Sequence, residues 1–121
     1  MDKTNYAVEI IETTGSMSSP VFKKMAERGD ITSVKINEVI GSVVDITGYA
    51  WCHITTKDKD FNMGYYMTNL GIVSTGSEIF KESVADYLND GISKFNIVQV
   101  KTKQGQTYKV SPVLEIKEDV E

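Results

Sequence analysis

One stretch of this chain, residues 74 to 91 (STGSEIFKESVADYLNDG), has a clear helical period, and nearly everything around it reads as strand. Ile79, Phe80, Val84, Tyr87 and Leu88 fall on one stripe, opposite Lys81, Glu82, Asp86 and Asp90. Thr75 and Glu78 have the spacing of a capping box, and Gly91 sits where a helix ends in the left-handed conformation. An amphipathic helix set between about three strand-like runs and a closing hairpin is expected to lay its stripe on the sheet and plug one end of a barrel.

The strand-like runs follow from period-2 alternation. Residues 5 to 14 alternate, with Tyr6, Val8 and Ile10 opposed to Glu9, and predict a first strand outside the core. Ser19 and Pro20 can start a short helix over VFKKMAER that Gly29 would close, while Val21 and Phe22 leave a β reading open. Residues 31 to 46 read as a long strand bent at Gly41, followed by a turn at Thr47 and Gly48. The run from 49 to 57 puts Tyr49, Trp51, His53 and Thr55 on one face and Ala50, Cys52 and Ile54 on the other. KDKD (57 to 60) turns into a third core strand from Phe61 to Val73, and two strands, about 93 to 103 and 106 to 116, flank a turn at Gln104 and Gly105.

The resulting order, β-β-β-α-β-β, is that of an OB-fold, the five-stranded Greek-key barrel whose second and third strands commonly bind oligonucleotides or oligosaccharides. The expected class is therefore all-β with one helix between the third and fourth core strands, plus an extra N-terminal strand. At 121 residues the chain is one domain's worth, with a core at about 30 to 116.

Composition narrows the chemistry. No apolar run approaches the roughly 20 residues of a membrane span, and MDKTNYAVEI lacks the pattern of a secretory leader, so a soluble cytoplasmic protein is expected. A single cysteine and a single histidine give no internal disulfide and no metal-ligand spacing, so neither metal nor cofactor is expected. Cys52 and His53 are adjacent on a strand and point to opposite faces, and the chain carries no nucleophile elbow, phosphate-binding loop or zinc-protease motif, so no catalytic residue is assigned. The net charge of −4 is uneven: residues 91 to 114 hold Lys94, Lys101, Lys103 and Lys109 with no acid, whereas 115 to 121 (EIKEDVE) form an acidic tail.

The better constellation is aromatic plus basic. Rings that stack on bases, beside lysines that follow the phosphates, bind single strands without sequence preference. Tyr49, Trp51, His53, Phe61, Tyr65 and Tyr66 concentrate in the second and third core strands, with Lys57 and Lys59 in the turn between them. Lys101, Lys103 and Lys109 in the closing hairpin are expected to form the opposite wall of a groove. A closed barrel also needs large inward side chains, and alternation alone does not say which of these rings face in.

From VFKKM through FNMGYYMTN and IFKESVADYLND to the KFNIVQVKTKQGQTYKVSPVLEI hairpin, about residues 21 to 116, the chain resembles the small single-stranded DNA-binding proteins of tailed bacteriophages that infect Gram-positive bacteria. The resemblance rests on order and spacing rather than an invariant signature. It implies an OB-fold, often dimeric, that coats single-stranded DNA during phage replication or recombination in the host cytoplasm, with Tyr49, Trp51, Phe61, Tyr65, Tyr66 and Tyr108 as stacking rings. The acidic end is similar in character to tails that contact recombination or replication proteins, although it is short and ends without an aromatic. The rival reading is a protein-interaction module, a phage structural or accessory subunit built on the same barrel. Stacking rings exposed beside lysines favour DNA; buried rings with an aliphatic patch favour a protein partner.

Overall fold

The structure, a computed structural model, describes residues 6–28, 33–103 and 105–113. Gly29, Gln104 and the acidic tail at 115–121 lie outside them. The described chain is one mixed sheet of seven strands, curled into a half-barrel, with two helices. The elements in order are β1 (Tyr6–Gly15), α1 (Ser19–Arg28), β2 (Ser33–Lys35), a 3-10 turn (Ile36–Glu38), β3 (Val43–Thr56), β4 (Asp60–Thr68), β5 (Gly71–Thr75), α2 (Glu78–Asn89), β6 (Lys94–Thr102) and β7 (Gly105–Pro112). The neighbour order is β2-β5-β4-β3-β6-β7, with β1 beside β3. All pairings are antiparallel except β2 with β5.

β3 is the long bent strand, displaced from its predicted place. Its first residues, Val43 to Asp45, pair with β6, and from Gly48 onward the same edge pairs with β1 while the other edge pairs with β4. The bend is at Thr47 and Gly48, where the register with β4 slips, so the predicted turn is a bulge inside one strand. Glycine is required there: a Cβ on Gly48 would lie 2.4 Å from the Thr14 carbonyl oxygen and 2.5 Å from the Ser16 nitrogen, where β1 crosses. Gly41, at φ 84°, instead belongs to a turn before β3. The predicted third strand also divides. Asn69 and Leu70 form a turn held by the Thr68 hydroxyl, which donates to the Gly71 carbonyl (2.7 Å) and accepts from the Leu70 amide (3.0 Å).

The expectation of one helix is corrected to two, because the Ser19–Pro20 start is real and α1 forms. Its first backbone bond, from the Phe22 amide to the Ser18 carbonyl (2.9 Å), sets its entry. For α2 the cap is Ser77 rather than Thr75: the Ser77 Oγ accepts from the Phe80 amide (3.1 Å), and Thr75 ends β5. Such a cap is worth about 1 kcal/mol.

Helices cover the inner face and part of the outer face of the sheet. Inside the curl, α2 packs Phe80 and Val84, fully buried, against Tyr49, Trp51, Tyr66 and Phe95. Each such side chain contributes about 1.5–3 kcal/mol of burial. On the outer face, Met17 and Phe22 of the α1 region pack on Ala50 and Cys52, with Ile10, Met25, Tyr65 and Met67 around them.

Candidate nucleic-acid interface

Register decides which predicted residues share a surface. Across β1, β3 and β4, successive rows on the inner face are Glu9–His53–Asn62, Glu12–Trp51–Gly64 and Thr14–Tyr49–Tyr66. The alternating rows face outward: Val8–Ile54–Phe61, Ile10–Cys52–Met63 and Thr13–Ala50–Tyr65. The six expected rings are therefore split between two faces and cannot line one groove.

Tyr49, Trp51 and Tyr66 are core, at 2 %, 4 % and 0 % exposure. Tyr66, expected among the stacking rings, faces inward for a specific reason. Gly64, two residues earlier on the same face, leaves the space its ring fills, and the ring meets Phe80 edge-on at 4.9 Å. The Tyr49 hydroxyl donates to Glu12, whose carboxylate also lies 3.8 Å from Lys81. Burial first, then the Glu12 hydrogen bond, raises the Tyr49 pKa. Lys81 sits over the Trp51 ring at 5.4 Å, so the tryptophan is closed off by α2.

Beyond α2 the open end of the inner face is polar and acidic. His53 Nδ1 donates to Asn62 Oδ1 (2.7 Å), and its Nε2 lies 3.6 Å from Asp60. The Asn62 hydrogen bond holds the His53 pKa above 6.5 against the opposing effect of burial, and the charge and hydrogen bond of Asp60 and the charge of Glu9 add to the rise. Carboxylates here repel a phosphate backbone. Among the described residues no group of three or more His, Cys, Asp or Glu is placed to hold a metal ion.

The outer face differs. Phe61 is half-buried on β4, and Lys59 Nζ stands 5.3 Å from its ring centroid. Lys57 is exposed in the same turn. Tyr65 packs against Phe22 at 5.5 Å, so α1 covers one side of it. Cys52 is wholly buried beneath α1, and that burial pushes its thiol up to about 11. The helix was visible in the sequence, but its position over this face was not, because no local pattern fixes where α1 docks.

The hairpin lysines do not form the opposite wall. β6 pairs with β3 only at Val43 to Asp45, so the tip bearing Lys101 and Lys103 runs on beyond Val43, while Lys57 and Lys59 lie beyond the other end of β3. Lys109, exposed, stands opposite Val98 on β6. Tyr108 is half-buried against the inner core and lines a gap between β5 and β7 with Thr75, Ser77 and Glu78. No helix among the described residues is long and apolar enough to cross a membrane. Scans against protein-family models, curated proteins and solved structures return no match to this chain.

Proposed function

We propose that the protein binds single-stranded DNA without sequence preference, on the outer face of β3 and β4. The observation that carries the reading is Phe61 beneath Lys59 on the uncovered part of that face, a ring for a base beside a cation for a phosphate. The strand pairings support an OB-type barrel behind it: β3 with β4, β4 with β5, β3 with β6 and β6 with β7, with α2 between β5 and β6. No ladder among the described residues joins β5 to β7, so this barrel is open on that side. The order and spacing of the sequence, which resemble those of phage single-stranded DNA-binding proteins, are the ground for including in the proposal a role in replication or recombination in the host cytoplasm, a dimer and a tail-bound partner. With two or three lysines per subunit, coating depends on neighbouring subunits acting together.

A second reading, a docking module for another protein, is favoured by the burial of Tyr49, Trp51 and Tyr66 and by exposed Val8, Ile11 and Val21 on β1 and α1. Polarisation of a labelled oligo-dT of about 30 nucleotides, in low and moderate salt and beside the matching duplex, separates the two. Binding to the single strand that weakens with salt and falls about tenfold in Phe61→Ala supports DNA, one lost stacking contact being about 1–3 kcal/mol. No binding at low salt refutes it and leaves the protein partner.

A further inference from the structure

The α1 region packs on the outer face where β1, β4 and the later part of β3 meet, through Met17 and Phe22 on Ala50 and Cys52. The start of β3 with β6 and β7 makes the rest of that face. Val44, Phe95, Ile97 and Val110 are buried in the core under α2, so the alternate residues point outward: Val43, Asn96 and Ser111 in one row, Val98 and Lys109 in the next, and Asp45 beside Lys94 on the other side. Val43, Lys94 and Lys109 are exposed, as is Val113, whose amide donates to the Lys94 carbonyl (2.9 Å). Asp45 is half-buried, and the hairpin sequence from 91 to 114 holds no carboxylate. A second surface has the opposite sign. On α2, Glu78, Glu82 and Asp86 recur every fourth residue and are exposed, and Asp90 at the C-cap continues the ridge, with exposed Ile79 beside its first turn. Lys81, the one lysine of α2, is turned away over Trp51 and toward Glu12. Among the described residues no ion pair engages the four carboxylates of the ridge. Like charges at this spacing weaken a helix, a cost that cations from outside would offset.

We infer that the acidic ridge of α2 in one copy of this chain docks on the lysine and valine face of β6 and β7 in a second copy. Complementarity selects that occupant, in charge and in apolar content together: carboxylates around Ile79 on one surface, Lys94 and Lys109 around Val43 and Val113 on the other. The outward rows of the hairpin contain no ring, so they offer a single strand nothing to stack on, whereas aliphatic side chains beside cations suit an acidic protein surface. Because α2 lies on the inner face and the valines on the outer, one neighbour does not cover both surfaces. Each copy is left with a free ridge on one side and a free hairpin on the other, and the contact repeats head to tail. It forms in the free protein and does not rest on the DNA reading.

The test is sedimentation velocity of the protein without DNA, from about 1 µM to about 1 mM. At about 0.05 M salt the average size should grow with concentration beyond a dimer, and at about 1 M, where the screening length is about 3 Å, it should return to the monomer. Glu82→Lys with Asp86→Lys, and separately Lys94→Glu with Lys109→Glu, all at exposed positions, should each weaken association by about a hundredfold or more. An equimolar mixture of the two double variants should recover it, because the reversed ridge then meets the reversed hairpin. In the wild type, carbodiimide treatment of mixed unlabelled and nitrogen-15 protein should join Glu82 or Asp86 to Lys94 or Lys109 in peptides carrying one label of each kind. That crosslink uses the unaltered chain, so it decides the matter if a variant fails to fold. A wild type that stays monomeric at low salt, folded variants that associate as it does, a mixture of them that stays monomeric, or hairpin lysines joined only to the acidic tail at 115–121 would each overturn the contact. None of these outcomes touches the DNA reading, and failure to bind oligo-dT leaves the contact standing.

Discussion

Gly64→Ala tests the packing that removes Tyr66 from the binding surface. A Cβ built on Gly64 would lie 2.7, 2.8 and 2.9 Å from the Oη, Cε1 and Cζ of Tyr66, distances real Cβ contacts do not reach. The tyrosine cannot retreat, because it is wholly buried between Tyr49, 5.6 Å away, and Phe80. Overpacking of this kind costs about 1–3 kcal/mol, offset by about 0.4–1 kcal/mol because alanine restricts the unfolded chain at a position whose φ is not positive. The net expectation is a loss of about 1–2 kcal/mol. For 121 residues an unfolding entropy of about 2.1 cal/mol/K per residue makes that roughly 4–8 °C in Tm. Urea unfolding of both single variants and the double variant in a Tyr66→Leu background gives the coupling. With the ring gone, Gly64→Ala should become neutral or stabilising. An equal cost in both backgrounds would refute the contact and return Tyr66 to the surface.

Other groups give shorter tests. Trp51, the only tryptophan, should emit with a blue-shifted maximum, resist iodide quenching and keep that maximum when oligo-dT binds, because α2 and Lys81 enclose it; a red-shifted, quenchable emission contradicts that. The His53 NMR titration midpoint should lie above 6.5, and Asn62→Ala should lower it. A raised folded-state pKa means that the stability His53 adds is complete below about pH 6.5, its unfolded value, and is lost as pH rises through the folded midpoint, so a stability that grows across that window is the contrary result. Cys52 should stay unmodified by a thiol reagent at pH 8 until the chain unfolds, its thiol being buried with a pKa of about 11; rapid labelling of native protein would show that α1 does not seal that face. Tyr49→Phe should cost about 1–2 kcal/mol in urea unfolding, through loss of a hydrogen bond to a carboxylate, and an unchanged midpoint would remove that bond from the account.

Much of the architecture was readable where local signals agree. The stripe of Phe80 and Val84, the alternation in β1 and the hairpin of β6 and β7 each need only neighbours in sequence. The local sequence is ambiguous where a glycine has two meanings. Gly41 and Gly48 both sit in β-rich sequence, and only the close crossing of β1 makes Gly48 the bend of a continuous strand and Gly41 a turn. Gly71, at φ 106°, lies inside an unbroken β-rich run, and the turn there is made by Asn69 and Leu70 with the Thr68 hydroxyl. A Ser19–Pro20 helix start was visible; where that helix docks depends on Ala50 and Cys52, distant in sequence.

The site was harder because alternation assigns faces without saying which is inside. Tyr49, Trp51 and Tyr66 alternate as a binding face would, yet α2 closes over them. Phe61 and Tyr65 fall on the opposite face because β4 is registered so that Ile54 meets Phe61 and Ala50 meets Tyr65. No pattern within either strand contains that offset.

The central claim, the proposal that single-stranded DNA binds the outer face of β3 and β4 at Phe61 and Lys59, is tested most directly by a proton–nitrogen NMR titration of the protein with oligo-dT. The proposal predicts shifts concentrated at Lys59 and Phe61, with Glu9, Asn62 and the hairpin tip at Lys101 and Lys103 unmoved. Shifts centred on the hairpin or on the His53 end of the inner face, or none at saturating oligonucleotide, would contradict it.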